Sequence, residues 1–213
     1  MSAPVVVKIG GSLSERPPAL RRLMRTLAAL AREETLVIVP GGGPFADEVR
    51  RADRRFALGD SPAHWMAILA MDQYAYLLAT LARRATLVRR PRDFTDGRLN
   101  VLAPSGWLQR ADPLPHTWDV TSDTIAAWVA VRIRARLLIL VKDVDGVFDV
   151  DPKRAPAARL QRRVPRRRLR GVVDGHFHRV LTPRTPCWVV NGRRLADLGA
   201  LIATGRAYGT EVV

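Results

Sequence analysis

The chain has 213 residues, enough for one domain with a sizeable core and too few for two of ordinary size. Hydrophobic residues make up 47% of it, which excludes disordered and fibrous classes, and apolar runs such as Leu137 to Val141 are too short to span a bilayer. Lys and Arg outnumber Asp and Glu by 35 to 20, a formal charge of +15 that suits anionic partners such as nucleotides, phosphorylated metabolites or nucleic acid.

The N-terminal residues have none of the features of a signal peptide, and a single cysteine, Cys187, allows no internal disulfide, so a cytoplasmic protein is expected. Arginine supplies nearly all the positive charge. Lys8, Lys142 and Lys153 are the only lysines, which draws attention to each of them.

Val5 to Ile9 is a β-branched run ending in glycines, the pattern of a buried parallel strand. Leu20, Leu23, Leu27 and Leu30 then recur at helical spacing, with arginines on the outward face. Leu36 to Val39 predicts a second strand, closed by Pro40 and three glycines. Strand, glycine turn, helix and strand make a βαβ unit. Helices are predicted over Phe45 to Arg55 and His64 to Arg83, with Met66, Met71 and Tyr74 read as core residues and His64 as a helix-start or surface residue.

Arg90 to Trp118 reads as short strands mixed with loops. A helix starts at Thr121, and Leu137 to Val141 is a third clear strand. Pro152 to Arg170 is an arginine- and proline-rich connection. Trp188 to Val190 gives another strand, Leu195 to Ile202 a short helix, and Gly209 to Val213 a closing strand. This alternation predicts an α/β fold: a three-layer α/β/α sandwich around a mostly parallel sheet.

Four segments carry chemistry. Lys8-Ile9-Gly10-Gly11-Ser12 puts a cation at a strand end beside a turn whose backbone N–H groups can approach phosphate oxygens. Gly41-Gly42-Gly43, followed by Phe45, is a second glycine turn between strand and helix. Two such turns at one edge of a parallel sheet converge where open α/β sheets bind ligands. In Thr121-Ser122-Asp123, a hydroxyl can cap the following helix and the helix dipole favours the acid. Leu138 to Pro152 runs a strand into Lys142, Asp143, Asp145, Gly146, Val147, Phe148, Asp149, Asp151 and Pro152.

This last segment resembles the amino acid kinase family, in which a strand leads into a (Lys/Thr)-Asp-Val-x-Gly-Val-(Phe/Tyr)-x-x-Asp-Pro loop around an adenine nucleotide. The three other segments match that family's signatures in the family's order, and Asn191-Gly192 and Gly209-Thr210 look like its closing strands. The resemblance implies transfer of the γ-phosphoryl group of ATP, with Mg²⁺ bridging its phosphates, by positioning and charge neutralisation. It casts Lys8, Asp123 and Lys142 as catalytic. Gly10, Gly11, Ser12, Lys142, Asp143, Gly146, Val147, Phe148, Asp151 and Pro152 would hold the nucleotide. Gly41, Gly42, Gly43 and Phe45 would hold the acceptor.

Within the family, His64 to Gln73 with Trp118 to Asp123 looks most like the kinases that phosphorylate an aminomethyl-furanmethyl phosphate in methanofuran synthesis. Uridylate, isopentenyl phosphate and acetylglutamate kinases are the alternatives. An acceptor bearing phosphate, ring and ammonium needs an apolar wall, a carboxylate and cations, and Trp65, Met71, Asp72 and Trp118 are candidates for the first two. The resemblance also implies a homo-oligomer and one domain, with residues of about 1–130 binding the acceptor and about 131–213 the nucleotide.

Many relatives carry a second catalytic lysine after the Asp-Pro loop, where this chain reads Val172 to Arg179 without one. Lys142 and Arg179 are the substitutes at hand. The rival class is a nucleotide-binding regulatory or storage protein on the same fold. The run from Arg159 through Arg162, Arg163, Arg166, Arg167 and Arg168 to Arg170 lacks aromatic residues for stacking, which disfavours nucleic-acid binding.

Overall fold

A computed structural model describes residues 3–152, 154–169 and 171–213, so Lys153 and Arg170 lie outside the described residues. The apolar strands become its centre. β1 (Val5–Ile9) pairs in parallel with β2 (Leu36–Pro40) on one side and with β5 (Leu137–Lys142) on the other. Beyond β2 lie β4 (Leu99–Leu102) and the edge strand β3 (Ala85–Val88). Beyond β5 lie β9 (Cys187–Asn191), β10 (Thr210–Val212) and β8 (Arg163–Val164), giving an eight-stranded order β3-β4-β2-β1-β5-β9-β10-β8. Only the β9–β10 pairing is antiparallel within it. The chain leaves β1 toward one edge and later resumes at its other side in β5, which is the strand-order reversal that opens a crevice at the strand C-termini.

Helices cover both faces. α1 (Pro17–Leu30) buries Leu20, Leu23, Met24 and Leu27 against Val5, Val7 and Ile9. α5 (Ser122–Arg132) buries Ile125, Ala126 and Val129 on the opposite face, against Val6, Leu138 and Leu140. α2 (Gly43–Phe56) and α3 (Asp60–Thr80) follow β2, and α7 (Leu195–Thr204) closes the α1 side. The two-residue alternation of a strand therefore decides where each side chain goes. Lys8 follows Val6, and Lys142 follows Leu138 and Leu140, so both lysines face α5.

The three-layer sandwich matches the expectation from sequence. The region from Arg90 to Trp118 is more regular than expected, since it holds β4 and α4 (Ser105–Ala111). The arginine-rich connection contributes β7 (Leu160–Gln161), which pairs antiparallel with β6 (Val147–Phe148), and edge strand β8. Two of its arginines have side-chain partners on the closing segment of the chain. Arg163 pairs with Glu211 at 3.0 Å and Arg162 stacks on the Tyr208 ring at 4.1 Å. Met66 is 37% exposed rather than in the core, while Met71 and Tyr74 are buried as expected.

Candidate active site

The two glycine turns meet. A side chain on Gly11 would sit 2.8 Å from the Gly43 nitrogen, and one on Gly41 would sit 2.8 Å from the Gly11 nitrogen. Both distances are shorter than any real carbon contact, so glycine is what lets the two backbones touch. Gly43 also has φ +57°, and its backbone lies against the buried Tyr74 ring.

Beside this junction, the three charged residues expected from sequence form one cluster. The Asp123 carboxylate meets Lys8 Nζ at 2.9 Å and Lys142 Nζ at 2.6 Å, with Lys8 and Asp123 almost fully buried. Burial pushes the Lys8 ammonium down to about 8, and the neighbouring Lys142 charge acts in the same direction, against the attraction of Asp123. Burial alone would raise the Asp123 carboxyl, but the two lysines outweigh it and hold it below the usual carboxylate range. The cluster carries two cations and one anion, a net positive charge beside backbone amides. That arrangement suits an anionic phosphoryl group.

What fixes Asp123 was not legible in the sequence. Thr121 caps α5 as expected, its hydroxyl accepting from the Asp123 N–H at 3.3 Å. Asp174 then ties that helix start down. It accepts from the Thr121 N–H at 3.0 Å, the Thr121 hydroxyl at 2.6 Å, the Thr124 N–H at 3.1 Å and the Thr124 hydroxyl. The backbone N–H groups of His176 and Phe177 donate, each at 3.1 Å, to the same oxygen that accepts from the Thr124 hydroxyl. Arg179 lies exposed on α6 (Phe177–Val180), leaving Lys142 as the second cation on Asp123.

The loop after β5 is held from the far side. Gly146 adopts φ +149°, and the Val147 N–H donates to the Thr210 hydroxyl at 2.9 Å. Asn191 donates to Asp145 at 2.7 Å, Arg194 pairs with the same carboxylate at 3.3 Å, and Arg193 donates to the Asp143 carbonyl at 3.2 Å. These contacts join Asp143 to Phe148 to the closing strands. Asp151 and Pro152 continue the loop at the surface.

A cavity of about 450 Å³ opens on the other side of the glycine junction. Gly11, Ser12, Gly42 and Gly43 line its floor. Ile68, Met71 and Trp118 form apolar walls, and Asp47, Arg50 and His64 supply polar groups. Of the residues expected at the acceptor, Trp65, Asp72, Phe45 and the buried Gly41 do not line this cavity. The reason is helical geometry: His64, Ile68 and Met71 share the cavity face of α3, and each adjacent residue is turned by about 100°. Asp72 instead accepts from the Ser105 N–H at 3.0 Å and the Ser105 hydroxyl at 2.5 Å. Trp65 packs edge-on against His64 and His116, and Phe45 packs among apolar residues. His64, read from sequence as a surface or cap residue, is buried and stacks on His116 at 4.4 Å. Burial and the facing His116 ring lower its pKa, which favours neutral imidazole.

Fold and site together define a kinase built on an α/β/α sandwich. Residues 3–99 and 91–182 match the amino acid kinase family model, and the chain belongs to that family as an ATP-dependent phosphotransferase. It is 30% identical over 194 residues to [5-(aminomethyl)furan-3-yl]methyl phosphate kinase of Methanocaldococcus jannaschii, covering 88% of each chain. A uridylate kinase of Methanothrix thermoacetophila is 27% identical, with 98% of each chain covered. Among solved structures, the uridylate kinase from Archaeoglobus fulgidus superposes with a TM-score of 0.77 at 23% identity, covering 99% of this chain and 100% of that one. The isopentenyl phosphate kinase from T. acidophilum does so with 0.66 at 19%, over 99% and 100%.

Proposed function

We propose that this kinase phosphorylates the phosphate of an aminomethyl-furanmethyl phosphate, giving the diphosphate during synthesis of a methanofuran-type cofactor. The observation that carries the reading is the cavity beside the glycine junction, which combines the apolar walls of Ile68, Met71 and Trp118 with one arginine, Arg50, and two carboxylates, Asp47 and Glu15. The 30% identity to the furan phosphate kinase supports the same acceptor.

In this reading an acceptor phosphate oxygen attacks the γ-phosphorus of ATP, the bond to the bridging oxygen breaks, and ADP leaves. Lys8 and Lys142 neutralise charge on the transferring group, while Asp123 holds both ammonium groups in place. The N–H groups of Gly11 and Ser12 face the phosphates, while the Gly10 N–H donates to the Val141 carbonyl at 3.2 Å and holds the turn against β5. Gly41, Gly42 and Gly43 bring the start of α2 to the acceptor, where the helix dipole favours an anion. Phosphate is already a nucleophile, so no general base is needed.

The loop through Asp143, Gly146, Val147, Phe148, Asp151 and Pro152 cradles ATP. Residues of about 1–130 form the acceptor lobe and about 131–213 the nucleotide lobe. Among the described residues no three His, Cys, Asp or Glu side chains are grouped to cage an ion. The reading assigns Mg²⁺ to the nucleotide's phosphates as part of the substrate.

The protein acts in the cytoplasm as a homo-oligomer. The exposed stripe of α3 supports self-association: Pro62, Met66, Leu69, Gln73, Tyr76 and Thr80 carry no charge, in a chain that is 26% charged. Among the described residues, no helix is long and apolar enough to cross a membrane.

A coupled ADP-release assay with Mg-ATP tests the acceptor. The panel contains the aminomethyl-furanmethyl phosphate, UMP, isopentenyl phosphate, acetylglutamate and carbamate. Saturable turnover of the furan phosphate alone is expected. Efficient turnover of another member, with none of the furan compound, would refute the acceptor assignment and leave the kinase.

A further inference from the structure

Asp47, Arg50 and Asp53 recur at three-residue intervals on α2, so they share one helical face. Each has a distinct partner. Arg50 pairs with Asp47 at 3.0 Å, and its guanidinium carbon lies 4.9 Å from the centre of the Trp118 ring. Asp53 accepts the Trp118 indole N–H at 2.8 Å, which fixes the ring that forms one cavity wall. Arg50 and Asp47 line the cavity and keep 43% and 67% of their side-chain surface exposed. A pair this exposed contributes little to stability and is easily exchanged for other partners.

Its composition is informative for a second reason. A site for an anion gains nothing from a carboxylate beside its arginine, because the aspartate competes for the guanidinium and repels the ligand. A ligand bearing both a phosphate and an ammonium inverts that logic. Its phosphate takes over Arg50, its ammonium takes over Asp47, and each charge of the resting pair finds a replacement.

We propose that the Asp47–Arg50 pair is the acceptor-recognition element. Arg50 exchanges Asp47 for the acceptor's phosphate, the released Asp47 carboxylate binds its ammonium, and Trp118, positioned by Asp53, lies against its ring. This rests on the furan phosphate reading above and assigns selectivity to residues that the glycine signatures do not include. Asp53 acts through the indole, so it is a positioning residue.

The test pairs two acceptors with a set of variants: the aminomethyl-furanmethyl phosphate, and the same compound with methyl in place of aminomethyl. The readout is kcat/KM at saturating Mg-ATP. The wild type is expected to prefer the amine about tenfold, as one charge contact that the bound acceptor itself shields from water allows. D47N should bring the two compounds within about threefold of each other, and R50M should raise KM for both alike. R51Q, whose partner Glu48 lies outside the cavity lining, should keep the wild-type preference. D53L should raise acceptor KM without moving KM for ATP, and D53N, which keeps an acceptor oxygen, should restore it. A D47N enzyme that retains the full preference for the amine overturns this inference alone. Wild-type turnover of neither compound overturns the acceptor reading and this inference with it.

Discussion

Replacing Asp123 by Asn changes one atom type and one charge at the centre of the cluster. The carboxylate is buried and meets Lys8 at 2.9 Å and Lys142 at 2.6 Å, so its loss leaves two ammonium groups facing a neutral amide in a space closed to water. Breaking a buried ion pair from one side costs roughly 3–5 kcal/mol. The cost has a ceiling, because Lys8 can lose its proton instead. Deprotonating a lysine with an unfolded pKa near 10.4 at about pH 7 takes roughly 4.6 kcal/mol, and less as pH rises. Both figures agree, and they are a large part of a normal folding free energy of about 5–15 kcal/mol.

The sign follows from proton counting. In D123N the unfolded chain binds more protons than the folded one between the depressed lysine pKa and about 10.4, so stability rises with pH through that window. Urea denaturation of wild type and D123N at about pH 7 and about pH 9.5 is the assay, with a deficit of about 3–5 kcal/mol expected at the lower pH and one smaller by about 1.4 kcal/mol at the higher, because the wild-type lysine, titrating near 8, gains stability with pH over the rest of the window as well. A deficit below about 1 kcal/mol at pH 7, or one that does not change with pH, would refute the charge argument.

Lys8 titrates near 8 in the free enzyme, and its protonated form is the one that binds phosphate, so kcat/KM for ATP should fall with unit slope above about pH 8. Bound triphosphate stabilises the ammonium, so the alkaline limb of kcat should lie higher; flat profiles between about pH 7 and 9.5 would contradict this. Gly11→Ala places a carbon 2.8 Å from the Gly43 nitrogen and must separate the two turns, so kcat should drop about a hundredfold while the chain stays folded by circular dichroism. Leu69→Glu puts a charge in the uncharged stripe of α3 and should convert the proposed homo-oligomer to monomer in light scattering; an unchanged mass would place any interface elsewhere.

The parts of the site carried by backbone pattern were readable in advance. Lys8 and Lys142 face the same helix because strand alternation and register leave no other choice, and the meeting of the glycine turns follows from their place at the ends of adjacent parallel strands. Side chains supplied by helices were read less well. Asp72 and Trp65 neighbour the cavity-facing residues of α3 in sequence, yet one helical step turns them toward Ser105 and the histidine pair. Asp174 gave no signal, since a single aspartate 50 residues from its partner Thr124 has no spacing rule to reveal it. The Asp47-Arg50-Asp53 spacing was visible, but it reads as an ordinary solvated helix face until Trp118 is found against it. Edge strands β3 and β8 are short and only partly buried, so their hydrophobic pattern is weak.

Phosphorus NMR of a reaction containing Mg-ATP, the aminomethyl-furanmethyl phosphate and enzyme tests the central claim most directly. The account predicts that the monoester signal is replaced by the paired signals of a diphosphate as ADP accumulates in equal amount, and that Lys8→Met abolishes both changes. ADP formed without a diphosphate, or a diphosphate formed at the same rate by the Lys8 variant, would contradict it.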